Sequence, residues 1–448
     1  MKAIRIGSGA GYAGDRLEPA LELIEKGNLD YIGFECLAER TIALAQKEKL
    51  ADPAKGYNPL LEYRMERVIP LAWKHNVKVI TNMGAANPMS AAVVCAEIAR
   101  KNSIKGMKIA AVTGDDVLDQ LYKYQDAELW ETHRPLKELD GEIVSANVYM
   151  GVAGILDALE QGADLVITGR VADPSLFMAP LIHEFGWDLD DWNRLGKAAQ
   201  AGHLLECAGQ VCGGYFAEPG KKDVPDLDRL GFPIIEISEN GSFFVTKVEG
   251  TGGIVNRHTC IEQMLYEIQD PAKYLTPDVV ADFSKLTFTE IGPDKVLAQG
   301  ASGYPRSATL KTSVGYKDCF IGEGEISYGG PGCYDRAKLA GEIVIKRLVA
   351  RDIPIEELKV DFIGLNSLNW NSERARNTRP DEVRLRVAAR TKDKVSAGCV
   401  CEEVETLYTN GPAGGCGATR SVSEIMSIAS MLISSNDVTP TVYVMEVQ

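Results

Sequence analysis

Between Ile4 and Thr168 the chain alternates short apolar runs with stretches of helical period, a pattern that few folds can satisfy. The runs are Ile4 to Gly7, Leu29 to Phe34, Val77 to Thr81, Lys108 to Thr113, Ile143 to Val148 and Leu165 to Thr168. Between most of them apolar residues recur three or four apart, as in Leu17, Ala20, Leu21 and Ile24. That spacing lines one face of a helix, whereas a strand repeats every second residue. The alternation predicts an α/β fold, with a mostly parallel, doubly wound domain over residues 1–215. Ligands of such sheets sit beyond the carboxyl ends of the strands.

After Cys212 the texture changes. "IIEISENGSFFVTKV" reads as a hairpin turning at Asn240-Gly241, followed by a helix near Asn256 to Ile268. Residues 216–320 form a mixed α+β region in this reading. Further on, the pattern predicts a helix (Asp335 to Ala350), three strands (Val360 to Leu365, Val383 to Ala389, Val404 to Tyr408), a helix (Val422 to Ile433) and a strand (Val442 to Val447). That order suggests a ferredoxin-like lobe over 321–448.

Composition removes several function classes. The 448 residues carry a formal charge of −15, the wrong sign for displacing counterions from nucleic acid. Unbroken apolar runs are too short for a membrane span. Ten scattered cysteines include no paired CxxC motifs, so a zinc ribbon is not expected. No leader segment is expected either, and reduced thiols fit a cytoplasmic protein.

"IGSGAGYAGDR" matches G-x-G-x-x-G through Gly9, Gly11 and Gly14, with Glu35 near the place of a ribose-binding acid. Pro19 argues against a dinucleotide turn. A helix starting within the glycines would hold Pro19 two turns inside, at a cost of about 3 kcal/mol. The helix should start near Leu17 or Glu18, leaving Gly7 to Asp15 as a loop over the sheet edge. Asp15 and Glu18 also have the spacing of a capping box.

Polar residues end most of the apolar runs: Asp15, Glu35, Asn82, Asp115 with Asp116, Tyr149 and Arg170. All should face one crevice, although each alone could cap the next helix. Asn82 can donate to and accept from a carboxylate or thioester. Asp115 and Asp116 could hold a divalent metal or act as acid and base. Arg170 offers a fork for a carboxylate or phosphate, and pairing with Asp173 is its structural alternative. His203 and Glu206 share a helix face, as an acid–base pair, as two metal ligands or as core residues. Gly252 and Gly253 form a glycine nest able to bind an anion, or simply a tight turn.

Read in order, "GYAGD", "ITNMGAANP", "GDD", "ITGRVADPSL", "AGHLLECAGQVCGG", "GSFFVTKVEGTGGIV" and "GPAGG" resemble the acyclic terpene utilisation (AtuA-like) family. The resemblance covers about residues 3–345, and the last hundred residues look like the ferredoxin-fold segment that accompanies the family. It implies catabolism of citronellol- and geraniol-type acids through branched acyl-CoA intermediates, by lyase or hydratase steps. It carries no catalytic residues with it.

The expectation is therefore a cytoplasmic catabolic enzyme, a lyase or hydratase acting on a small branched carboxylic acid or its CoA thioester. Glu35 or Asp115 would be the base, and His203 with Glu206 the acid. Asn82 and the amides of Gly9, Gly11, Gly252 and Gly253 would stabilise an enolate. Arg170 would anchor a carboxylate, with Asp15, Asp116 and Asp173 as further binding groups. No cofactor is firmly implied. The partners expected are a small acid or acyl-CoA, a second copy of the chain, and a small companion subunit as an option. The rivals are a metal-dependent hydrolase using Glu35, Asp115 and Asp116, and a non-catalytic subunit of a catabolic complex.

Overall fold

The computed structural model describes residues 2–369 and 379–448. It divides into two compact units: Met1–Leu139, Val144–Gly315 and Ile428–Gln448 form the larger, and Asp140–Ile143 with Tyr316–Ser427 the smaller. None of the helices among the described residues is long and apolar enough to cross a membrane.

In the larger unit the first strands are β1 (Ala3–Ala10), β2 (Tyr31–Phe34), β3 (Lys78–Thr81), β4 (Lys108–Thr113), β5 (Glu142–Val148) and β6 (Leu165–Thr168). Five of them make a parallel core in the order β1-β2-β3-β6-β4. The helices between and after them are α1 (Glu18–Lys26), α2 (Glu39–Ala51), α3 (Leu61–His75), α4 (Pro88–Lys101), α5 (Ala153–Glu160), α6 (Ser175–Phe185) and α7 (Trp192–Glu206). The sheet is covered on both faces, and β2 shows it residue by residue. Ile32 and Phe34 enter a core shared with α1, α3 and α4. Between them Gly33 faces the other way, where an added Cβ would lie 2.3 Å from the Phe177 ring of α6.

The whole sheet is mixed rather than mostly parallel. β7 (Pro233–Ser238) and β8 (Phe243–Lys247) add antiparallel beside β1 through the predicted hairpin, whose Gly241 has φ of +77°. The strands Lys295–Gln299 and Thr287–Gly292 extend that edge. At the other edge Thr441–Glu446 runs antiparallel to β4, completing ten strands. One expectation fails here: β5 lies outside this sheet and pairs with the long strand Thr309–Gly329. Its apolar alternation suits either location, so the pattern alone could not choose between them.

The smaller unit follows a strand–helix–strand–strand–helix–strand order, that of a split βαβ unit. Its helices, Cys333–Ala350 and Lys394–Glu405, contribute Ala337, Val344, Val400 and Val404 to one core with Leu385 and Val387 of the strand Glu382–Thr391. Two elements differ from expectation. Val404 to Tyr408 ends one helix and enters the next, because Val400, Val404 and Leu407 recur at helical spacing. Val422 to Ile433 belongs to the strand Gly415–Ser434, where its Ser-rich sequence carries little helical preference and pairing in the sheet prevails.

Candidate active site

The carboxyl ends of β1, β2 and β6 open on a cavity of about 580 Å³, walled by the loop after β1, the Glu35–Thr41 segment, Arg170, Asp173 and the end of α7. This is where a doubly wound sheet places a ligand. The loop is held from beneath. Arg64 of α3, buried against the Phe34 ring, donates to the carbonyls of Ala13 and Asp15 at 3.2 and 3.1 Å. The helix begins at Glu18 with Pro19 in its first turn, as Pro19 required. Asp15 does not cap it. Its carboxylate accepts from the amides of Gly11 and Arg16 instead.

Of the residues read from sequence, Gly11, Asp15, Glu35, Arg170, Asp173 and Glu206 line this cavity. The others lie elsewhere. Asn82 sits behind Glu35, donating to its Oε1 at 2.9 Å and accepting from the Cys36 amide at 2.7 Å. Asp115 sits behind Arg170, accepting from its backbone amide and from Asn147, both at 2.9 Å. Asp116 faces Gln46. Gly9 lies under the Phe34 ring, which a Cβ would meet at 2.4 Å. The amides of Gly252 and Gly253 are taken by the carbonyls of Arg229 and Pro225, so that nest holds backbone rather than an anion. Among the described residues no three His, Cys, Asp or Glu side chains are placed to share a metal ion.

His203 is fully buried, behind Glu206 rather than on the wall. Its Nδ1 lies 2.6 Å from Glu206 Oε1, and its ring packs on Tyr274 and Phe283. Burial alone would lower the imidazole pKa, but the Glu206 carboxylate raises it. Arg170 is committed at both terminal nitrogens, while its Nε is buried without a hydrogen-bonding partner. It donates to Asp173 Oδ1 at 2.7 Å and to the Leu37 carbonyl, and its guanidinium lies 4.0 Å from the centre of the Tyr149 ring.

Two acids on the wall escaped the reading from sequence, Glu39 and Glu267. Glu39 opens α2 and is bonded by Tyr149 and Lys311. Its proximity to Glu35 in the chain was the available signal. Glu267 follows α8 (Arg257–Leu265) in a left-handed conformation, φ +59°, which nothing in "LYEIQD" announces.

These acids hold protons very differently. Burial, then Asp173, lift Glu35 well above the ordinary carboxyl range, although Arg170, the Leu37 amide and Asn82 oppose them. Burial lifts Asp173 to about 7 against Arg170, helped by Glu206, Glu39 and Glu267. Glu39 falls to about 2 despite burial, because Tyr149, Arg170 and Lys311 favour its charge. Burial also pushes the Cys207 thiol up, which makes it a poor nucleophile. The cavity thus brings a carboxyl raised by burial, a group titrating near neutrality and a fixed anion into one space.

A search of curated proteins and of solved structures finds no match to this chain. The family model described as acyclic terpene utilisation family protein AtuA matches residues 4–444. The chain therefore belongs to the AtuA family, whose description implies a role in acyclic terpene catabolism.

Proposed function

We propose that the chain is a catabolic lyase or hydratase that moves protons on a small branched acyl compound, carried as a CoA thioester. The observation that supports this most is that Glu35, Asp173 and Glu39 line one cavity together with Arg170, whose charge acts on all three. Burial raises Glu35 and Asp173, while Glu39 on the same wall is lowered to about 2, and carboxyls held at such different proton affinities in one cavity suit acid–base chemistry near pH 7. Asp173, near 7, takes the proton, and Glu35, whose carboxyl burial raises, gives one. Arg170 keeps Asp173 within working range and Asn82 fixes the Glu35 carboxyl. His203 orients Glu206 from behind.

The metal-hydrolase alternative draws no support from Asp115 and Asp116, whose side chains bond to different neighbours. The test is solvent exchange. Hydroxylated, branched acyl thioesters incubated with the enzyme in D₂O should gain deuterium next to the carbonyl, and Glu35→Gln or Asp173→Asn should remove that gain. No exchange with any of these thioesters, by enzyme verified as folded, would refute the proposal.

A further inference from the structure

We infer that two copies of the chain pair edge to edge along the strand Gly415–Ser434, antiparallel about a two-fold axis through Val422, so that Arg420 of each copy faces Glu424 of the partner subunit. This goes beyond the acid–base reading and does not depend on it.

The strand is the last of its sheet, with the strand Thr309–Gly329 on one side and no strand on the other among the described residues. Its free side is closed at both ends of one stretch. The Ala418 amide donates to the Tyr408 hydroxyl at 2.8 Å. At the far end the Ser430 amide donates to Glu131 Oε2 at 2.8 Å, and its carbonyl accepts from the Trp130 amide at 2.9 Å. Alternate residues of a strand turn their amides and carbonyls to the same edge. Arg420 and Val422, in step with Ala418 and Ser430, therefore turn theirs to the open side, where no described residue bonds them. From Thr419 to Glu424 every residue is exposed except the half-buried Val422. The stretch holds neither proline nor lysine, two residues that commonly blunt an open edge. Such an edge is a template for another strand.

The side chains make this strand complementary to itself. Ala418 packs on the core between sheet and helices, and by the two-residue alternation Arg420, Val422 and Glu424 share that face. Arg420 meets Glu405 of the helix Lys394–Glu405 there at 2.9 Å, and its side chain remains 61% exposed. An axis through Arg420 or through Glu424 would set like charges opposite each other, which is destabilising. An axis through Ser421 or Ser423 would leave both charges opposite uncharged residues. Only an axis through Val422 sets Arg420 opposite Glu424 of the partner subunit, and symmetry makes that contact twice, with Val422 against its own copy between them.

Analytical ultracentrifugation of the full chain tests this. Wild type should sediment with twice the mass of Val422→Pro. Proline removes an amide on the open side alone, so the bonds to Thr309–Gly329 stay and the variant should fold. Arg420→Glu should weaken the association about ten-fold, since two opposite-charge contacts become like-charge ones. Combining Arg420→Glu with Glu424→Arg should restore it, a rescue that a dimer using another surface or register would not show. A wild type that stays monomeric at submillimolar concentration, a folded Val422→Pro of unchanged mass, or a charge swap that fails to restore association would each overturn the inference. If Val422→Pro does not fold, the charge series decides by itself. None of these results bears on the deuterium exchange that tests the acid–base reading.

Discussion

Asp173 accepts a hydrogen bond from Arg170 at 2.7 Å, and yet its carboxyl titrates near 7 instead of far below. Burial and the neighbouring carboxylates Glu206, Glu39 and Glu267 outweigh the single cation. If Asp173 is the base, kcat/KM should rise as pH increases through about 7. Asp173→Asn should remove that limb and lower kcat by roughly 10²- to 10⁴-fold. Arg170→Met should move the limb to higher pH, since the favourable charge is gone. A pH–rate series on the three proteins settles it. A limb that stays near 7 in Asp173→Asn would assign it to another group.

Asp115 links the site to stability. Burial raises its carboxyl from 3.8 to about 6, although the Arg170 amide and Asn147 favour its ionised form. The native state therefore holds this proton more tightly than the unfolded chain does. Its contribution is complete below pH 4 and fades as pH rises through about 6. Asp115→Asn keeps an acceptor for Arg170 but cannot ionise. Relative to wild type, the variant should gain roughly 2–3 kcal/mol between pH 4 and pH 8. Urea unfolding at both pH values measures this, and a stability difference that does not change with pH would refute it.

Much of the cavity wall could be read from the chain because it depends on periodicity. The parallel strands end in Gly11, Glu35 and Arg170, so the crevice followed from counting along the runs. Depth did not follow. Asn82 and Asp115 also end strands, but one more layer of side chains separates them from the cavity. His203 and Glu206 share a helix face, and only packing against Tyr274 and Phe283 decides which of the two lines the cavity. Glu267 arrives from a distant segment through a left-handed turn. The strand Gly415–Ser434 was read in part as a helix because its partners lie far away in sequence.

The position of His203 predicts a mixed phenotype. It is buried, it orients Glu206, and its backbone carbonyl accepts from Gln263 at 2.9 Å. His203→Gln should lower the melting temperature by several degrees, since a buried partner of a carboxylate is lost. Turnover per folded molecule should fall less than in Asp173→Asn, because His203 acts through Glu206. Binding of a hydroxylated ligand should weaken, a readout that a purely structural histidine would leave unchanged. Measuring Kd, turnover and folded fraction on one preparation separates these cases.

The loop that carries the dinucleotide-like glycines should not bind NAD or NADP. A pyrophosphate site needs free amides at a helix start, close to open space. Here the helix starts only at Glu18, past the glycines. The Gly11 amide is held by Asp15 at 2.9 Å. Gly11 is small for a different reason: a Cβ there would lie 2.5 Å from the Cys207 backbone carbon, so it lets the loop and the end of α7 close on each other. Gly11→Ala should therefore cost about 1–3 kcal/mol by overpacking, and should weaken substrate binding by moving Cys207 and its neighbour Glu206. NAD or NADP at millimolar concentration should leave the melting temperature within about one degree, since ligand far above its Kd adds a few kcal/mol. A shift of several degrees that Gly11→Ala abolishes would restore the dinucleotide reading.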